Sequence, residues 1–206
     1  MSGLPQVHPA GKPAHSPPDA RHQSITVNHR LTVFIEQPPE FVRKLYPSAV
    51  WRMDPDERAV YLTFDDGPIP EVTPWVLDLL DKYDIKATFF MVGDNIRKHP
   101  DEFQMVVERG HRIGNHTFNH LRGFEYNFKD YLANAEKANE VMKTDLFRPP
   151  HGHMGWTQYM ILKRRYKIIM WDLVTRDYSK KLRGPQVLAN VMRYAATAPS
   201  SHFTIP

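Results

Sequence analysis

The chain contains no cysteine, which excludes disulfides, thiolate metal sites and a cysteine nucleophile, so a bound metal has to be held by His, Asp or Glu. It also lacks any run of about 18 apolar residues, the length a membrane-crossing helix needs. No apolar h-region follows Met1, so nothing reads as a secretory signal peptide, and a cytoplasmic location is the default expectation. Charge of one sign is scarce too. The 27 basic and 23 acidic residues leave a formal net charge of +4, too small an excess to mark a nucleic-acid-binding surface, and Lys163, Arg164, Arg165 and Lys167 read as solvated charge.

What is present suits one domain with some excess: 206 residues, 41% of them hydrophobic, against the 100 to 200 residues, roughly, of a typical single core. Residues 1–30 carry Pro5, Pro9, Pro13, Pro17 and Pro18 among small polar residues. Such a stretch buries too little apolar surface to offset its ordering entropy and reads as a disordered tail. His8, His15, His22 and His29 recur every seven residues, but the prolines forbid a helix that would align them, so the spacing reads as coincidence. Residues 31–57 form a lead-in: Leu31 opens a strand-like run, and Phe41 to Trp51 supply apolar side chains to pack on the domain. Residues 58–206 are the domain itself.

Within that domain short apolar runs alternate with longer amphipathic ones. Strands are expected near 59–64, 87–92, 111–115, 146–148 and 166–171. Helices are expected from Thr73, from Asp101, over 128–142, over 156–165 and over 186–195. In the helix from Thr73, the residues Trp75, Val76, Leu79, Leu80 and Tyr83 make one apolar face. Strands alternating with helices imply an α/β fold with a parallel sheet or barrel. Chemistry in such folds gathers where strands end in loops. Asp65-Asp66, His116, Arg148 and the 172–177 segment all fall at such ends, so four distant loops converge on one face.

The motifs specify what that face could do. Thr63-Phe64-Asp65-Asp66-Gly67-Pro68 places two carboxylates at a strand end, although the same composition also suits a polar turn. A phosphatase of the haloacid dehalogenase type would need its aspartates separated by one residue, and these are adjacent. His116 and His120 lie on one side if their segment is helical, so both rings can reach one ion. A metalloprotease would have Glu directly after the first His. Thr117 stands there instead, and a base has to come from elsewhere. One Asp and two imidazoles make the three N/O ligands of a site that keeps a position open for water. In Arg148-Pro149-Pro150-His151-Gly152 the prolines carry no amide hydrogen, so the first N–H after Arg148 belongs to His151, held by rigid neighbours and suited to an oxyanion. Arg148 could pair with a carboxylate and favour its ionised form.

In order and approximate spacing, Thr63 to Pro68, His116 to His120, Arg148 to Gly152 and Trp171 to Tyr178 resemble the motifs of NodB-like polysaccharide deacetylases, carbohydrate esterase family 4. The resemblance covers roughly residues 58–195. It implies a distorted (β/α) barrel that removes N-acetyl, or sometimes O-acetyl, groups from a polysaccharide such as chitin-like oligomers or peptidoglycan glycans. In that reading Asp66, His116 and His120 hold a divalent metal, zinc first with cobalt, nickel or manganese as alternatives. The metal would activate water and polarise the acetyl carbonyl. Asp65 is then the general base, Arg148 and Asp177 orient it, and the His151 amide faces the oxyanion. Trp156 or Tyr178 could stack on sugar rings, although aromatics more often pack in cores.

The chain departs from the family pattern in three places. Tyr178 stands where Trp is usual, and His151 where Tyr is usual. No apolar strand ending in Leu-x-His follows Tyr194, so the last strand is expected to be missing, the domain to be C-terminally truncated and the general acid to be absent, with His202 a displaced substitute at best. Weak N-deacetylation follows from that expectation, and the alternative function is a catalytically impaired metal- or glycan-binding module of the same fold. No motif specifies an oligomeric state.

Overall fold

The computed structural model describes residues 37–53, 59–197 and 204–205. The expected tail at 1–30 and His202 lie outside the described residues. In chain order the elements are α1 (Glu40–Leu45), β1 (Tyr61–Asp65), α2 (Thr73–Lys82), β2 (Thr88–Met91), α3 (Gly93–Lys98), α4 (Pro100–Glu108), β3 (Arg112–Asn115), α5 (Phe128–Met142), β4 (Leu146–Phe147), α6 (Trp156–Leu162), β5 (Lys167–Ile168), α7 (Gly184–Thr197) and β6 (Thr204–Ile205). The strands form one sheet in the order β5-β4-β3-β2-β1-β6, and every pair in it is parallel. This is the α/β architecture that the alternation of apolar runs implies. No helix among the described residues is long and apolar enough to cross a membrane.

Three details differ from expectation. The outer side of β1 is not bare: Thr204 and Ile205 pair in parallel with Tyr61 and Leu62. A two-residue strand is too short to show any hydrophobic period, so only the neighbouring strand edge reveals it. Second, a helix not expected from the sequence, α3, opens at Gly93 directly after β2. A Cβ there would come within 2.6 Å of the Phe118 ring and 3.2 Å of Ala138, so glycine permits the close approach of this turn to α5. Third, the inner face of α2 is rotated from the expected one. Leu80 of that face is buried and Val76 packs on the core, but Trp75, Leu79 and Tyr83 are 64%, 41% and 61% exposed, and Leu77 is buried instead. The helix is apolar on more than one side, and Leu77 turns inward because it joins Leu80, Ile96 and Val106 in the core cluster.

A second cluster gathers around β4 and β5 and includes Tyr46, Trp51, Tyr131, Phe147, Tyr159 and Ile168. Val50 extends the sheet past β5 through a parallel bridge to Ile169. The strand ends are placed by register: Asp65 lies opposite Phe90, Met91 opposite Asn115 and Asn115 opposite Phe147. The residues that follow β1, β3 and β4 are therefore delivered to the same edge of the sheet.

Candidate functional site

At the end of β1 the backbone changes hand. Asp65 is still in the strand, whereas Asp66 has φ +69°, a left-handed conformation that Asp tolerates better than most residues. The reversal sends the neighbouring carboxylates apart. Asp65 Oδ1 accepts from Arg148 Nη1 at 2.7 Å. Asp66 Oδ1 lies 2.9 Å from His120 Nε2 and 3.5 Å from His116 Nε2. Asn95 Nδ2 donates to the Asp66 carbonyl at 2.7 Å and fixes the turn from the α3 side.

The two histidines come together without a helix. Residues 116–120 are loop, with Thr117 at φ +64° and His120 at φ +54°, so the helical condition for the pair to share a side is not how they meet. A left-handed backbone at a β-branched residue costs on the order of 1–3 kcal/mol and persists only where the surroundings over-determine it. Here they do. Thr117 N donates to Asn115 Oδ1 at 2.8 Å, while Phe118 N and Asn119 N both donate to Asn134 Oδ1 at 2.8 and 3.0 Å. Gly93 N and Asp94 N donate to the Thr117 and Phe118 carbonyls at 3.0 and 2.9 Å.

His116 is buried, and its Nδ1 lies 2.7 Å from the Arg148 carbonyl. A carbonyl only accepts, so the proton sits on Nδ1 and the Nε2 lone pair is left facing Asp66. Burial is the first cause lowering the His116 pKa below the usual histidine value, opposed by Asp65 and Asp66, and the ring is kept neutral as a ligand requires. The hydrogen bond from His120 is the main cause holding the Asp66 carboxyl below its ordinary value, against the opposing effect of burial. The ligand atoms of Asp66, His116 and His120 all lie within 4.8 Å of one another. Two imidazole nitrogens and one carboxylate are a donor set that fits a divalent ion of the zinc type.

Arg148 is the centre of the other half. Its buried guanidinium donates from Nη1 to Asp65 and to Thr63 Oγ1, from Nη2 to the Met170 carbonyl at 3.0 Å and from Nε to the Ile169 carbonyl at 3.2 Å. It also stacks 4.1 Å above the Phe90 ring. Desolvation pulls its pKa down and Asp65 pushes it back. Asp177 is not brought to this pair: its carboxylate accepts from Thr175 Oγ1 at 2.9 Å and Tyr178 N at 3.1 Å. His151, at φ +58°, packs its ring edge-on to His120 with centroids 4.8 Å apart. Among the described residues no carbonyl accepts from its backbone N–H.

These groups line a cleft of about 590 Å³ whose walls include Asp65, Asp66, His116, His120, His151, Trp171, Asp177 and Tyr178. A smaller groove of about 300 Å³, bounded by Asp94, Asn95 and Asn119, shares Asp66 and His120 with it. Tyr178 thus reaches the cleft. Trp156 is not among its lining residues and packs instead beside Tyr159 at 5.4 Å between centroids. Sequence reasoning missed Asn134 and Asn95, which hold the loops, and Asp172, which is buried against Arg43 and Arg52. Asx residues that cap loops leave no signal in a single sequence beyond their own identity.

Residues 52–165 match the family model described as polysaccharide deacetylase. The chain belongs to the polysaccharide deacetylase family. A peptidoglycan-N-acetylglucosamine deacetylase of Bacillus cereus is 37% identical over 128 residues, which span 59% of this chain and 60% of that protein. The solved structure of the peptidoglycan deacetylase PdaC from Bacillus subtilis is similar at 26% identity with a TM-score of 0.65, covering 74% of this chain and 75% of that one. A mutant of BA3943, a CE4 family pseudoenzyme from Bacillus anthracis, is similar at 26% identity with a TM-score of 0.70, covering 77% and 59%. The matched deacetylase span carries Asp65, Asp66, His116, His120, Arg148 and His151, whereas Asp177 lies beyond it.

Proposed function

We propose that this polysaccharide deacetylase homologue removes acetyl groups from an acetylated glycan in a metal-dependent hydrolysis. The observation that carries the proposal is one cleft in which the Asp66, His116 and His120 group stands beside Asp65, itself held by a buried Arg148. Neighbouring carboxylates with separate partners suit separate tasks, one as ligand and one as base. The Bacillus relatives named for peptidoglycan deacetylation support a cell-wall glycan as the substrate class.

In this reading Asp66, His116 and His120 hold a divalent ion, zinc first, with cobalt, nickel or manganese also compatible with the donor set. When bound, that ion supplies a Lewis acid for the acetyl carbonyl and eases deprotonation of water. Asp65 takes the proton from the attacking water, and Arg148 aims it by a charge-assisted hydrogen bond. The His151 N–H, placed by Pro149 and Pro150, donates to the carbonyl oxygen as it gains charge. Asp65, once protonated, stands in the same cleft as the departing sugar nitrogen or oxygen and returns the proton to it. Asp177 and Tyr178 contribute the wall against which the sugar lies, which replaces the role of orienting Asp65 that the family resemblance implies for Asp177.

The test is acetate release from an N-acetylglucosamine oligomer by the zinc-loaded full chain. Release that is lost with a chelator and in Asp65→Asn, while Asp65→Asn still binds zinc, is the expected result. Release that survives Asp65→Asn, or none at all from the zinc-loaded wild type, would overturn the proposal.

A further inference from the structure

The carbonyls that hold Arg148 belong to a segment that is itself gripped from behind. Residues 169–172 follow β5, and their two sides face different parts of the chain. On one side the Ile169 and Met170 carbonyls accept from Arg148. On the other, Val50 N donates to the Ile168 carbonyl and Met170 N donates to the Val50 carbonyl, both at 2.8 Å. Next along the chain, Asp172 is fully buried, and a single one of its oxygens, Oδ1, receives Arg43 Nη2 at 2.5 Å and Arg52 Nε at 2.9 Å. Its other oxygen is buried with no hydrogen-bond partner.

Such an arrangement is costly to build for stability alone. Desolvating Asp172 and most of Arg43 is repaid only by tight geometry, and a buried ion pair is often no better than apolar packing. What it does provide is a defined position. Two guanidinium groups from 43 and 52 meet on one atom, so the segment between them and the 169–172 segment are locked in register. Trp171, between the clamped residues, packs against the loop that carries His151: a Cβ at Gly152 would stand 2.5 Å from its ring. The clamp therefore touches both the support of Arg148 and the loop of His151.

We infer that Arg43, Arg52 and Asp172 are positioning residues, through which the segment before β1 sets the placement of Arg148, and so of Asp65, for the reaction. The kinetic part of this inference rests on the deacetylase reading above. The metal ligands come from the turn after β1 and the loop after β3; their link to Arg148 is its main-chain carbonyl at His116 Nδ1, and the Arg148 main chain is held separately by its N–H bond to the Asn115 carbonyl. Loosening the clamp should leave metal binding intact and reduce turnover, because a misplacement of about 1 Å at a reacting group can cost around a hundredfold in rate.

The experiment compares Arg43→Gln/Arg52→Gln and Arg52→Gln with wild type and with Arg165→Gln, which removes a surface pair to Glu136. Zinc affinity, kcat and KM for acetate release, and amide hydrogen exchange are measured on folded, zinc-loaded full chain. The expected result is kcat lowered about tenfold or more in the double variant, with KM and zinc Kd within about twofold of wild type. Exchange should quicken in 146–152 and 168–178 but not in 88–98. Arg52 is half exposed, so its single variant keeps the fold and should show the same pattern more weakly. A kcat equal to that of Arg165→Gln, or faster exchange confined to 39–53, would overturn the inference. If wild type releases no acetate yet the exchange pattern is as expected, the clamp stands and the deacetylase reading fails.

Discussion

The two halves of the cleft are built by different physical means. The metal-binding half is held by backbone: left-handed residues at Asp66, Thr117 and His120, with Asn115 and Asn134 occupying the amides of the loop. The Arg148 half is held by buried charge, with donors and acceptors from Thr63, Asp65, Ile169 and Met170. Hydrogen-bonded loops keep their shape through many small contributions, whereas a buried ion cluster fails when one member is removed, because a desolvated partner is left behind. Removing a supporting residue, as distinct from a ligand, should therefore cost function by degrees in the first half and abruptly in the second.

The largest effect should come from the ligands themselves. His116→Ala or Asp66→Ala should abolish zinc binding in a calorimetric titration while the chain stays folded; retained affinity would remove the ligand assignment. Next is Arg148→Met, which leaves Asp65 and two carbonyls without their cation and should cost about 3–5 kcal/mol in a denaturant titration. A loss below about 1 kcal/mol would mean that the contrast between the halves is wrong. In the gradual half, Asn134→Ala should weaken zinc binding about tenfold, the low end for groups that orient ligands, with little change in the denaturation midpoint. Smallest should be the outer stripe of α2. Leu79→Ala should shift stability by less than about 0.5 kcal/mol, whereas Leu77→Ala, two residues away and fully buried, should cost about 2–5 kcal/mol.

Much of the site was legible before any coordinates. One aspartate of the Asp65-Asp66 pair with His116 and His120 was identifiable because a carboxylate and two imidazoles at strand ends point to one ion; the family resemblance implied Asp66, and the structure brings Asp66, His116 and His120 together. The route by which they meet was not legible. A helix and a loop with two left-handed residues can bring positions 116 and 120 equally close, and only Asn134 on α5 selects the second. The Asp65–Arg148 pair was visible as a possibility and is realised, while Asp177 turns to Thr175 and Tyr178. Asp172 carried no signal that set it apart from an ordinary surface acid, since its partners lie 129 residues away at Arg43 and at Arg52. In the fold, the order of strands and helices followed from hydrophobic period. The short β6 and the direction of the α2 stripe did not, because each depends on what lies opposite.

The paired aspartates and histidines, their chemistry and the parallel α/β frame that carries them are properties of local sequence, because residue type and spacing alone restrict what such groups can do. Which carboxylate faces the ion and which faces Arg148 was decided by the tertiary structure, through the reversal of backbone hand at Asp66. So was the placing of Arg43 and Arg52 on a buried acid behind the site. Both outcomes rest on contacts between residues far apart in the chain, whose free energy depends on distance and desolvation that no local pattern encodes.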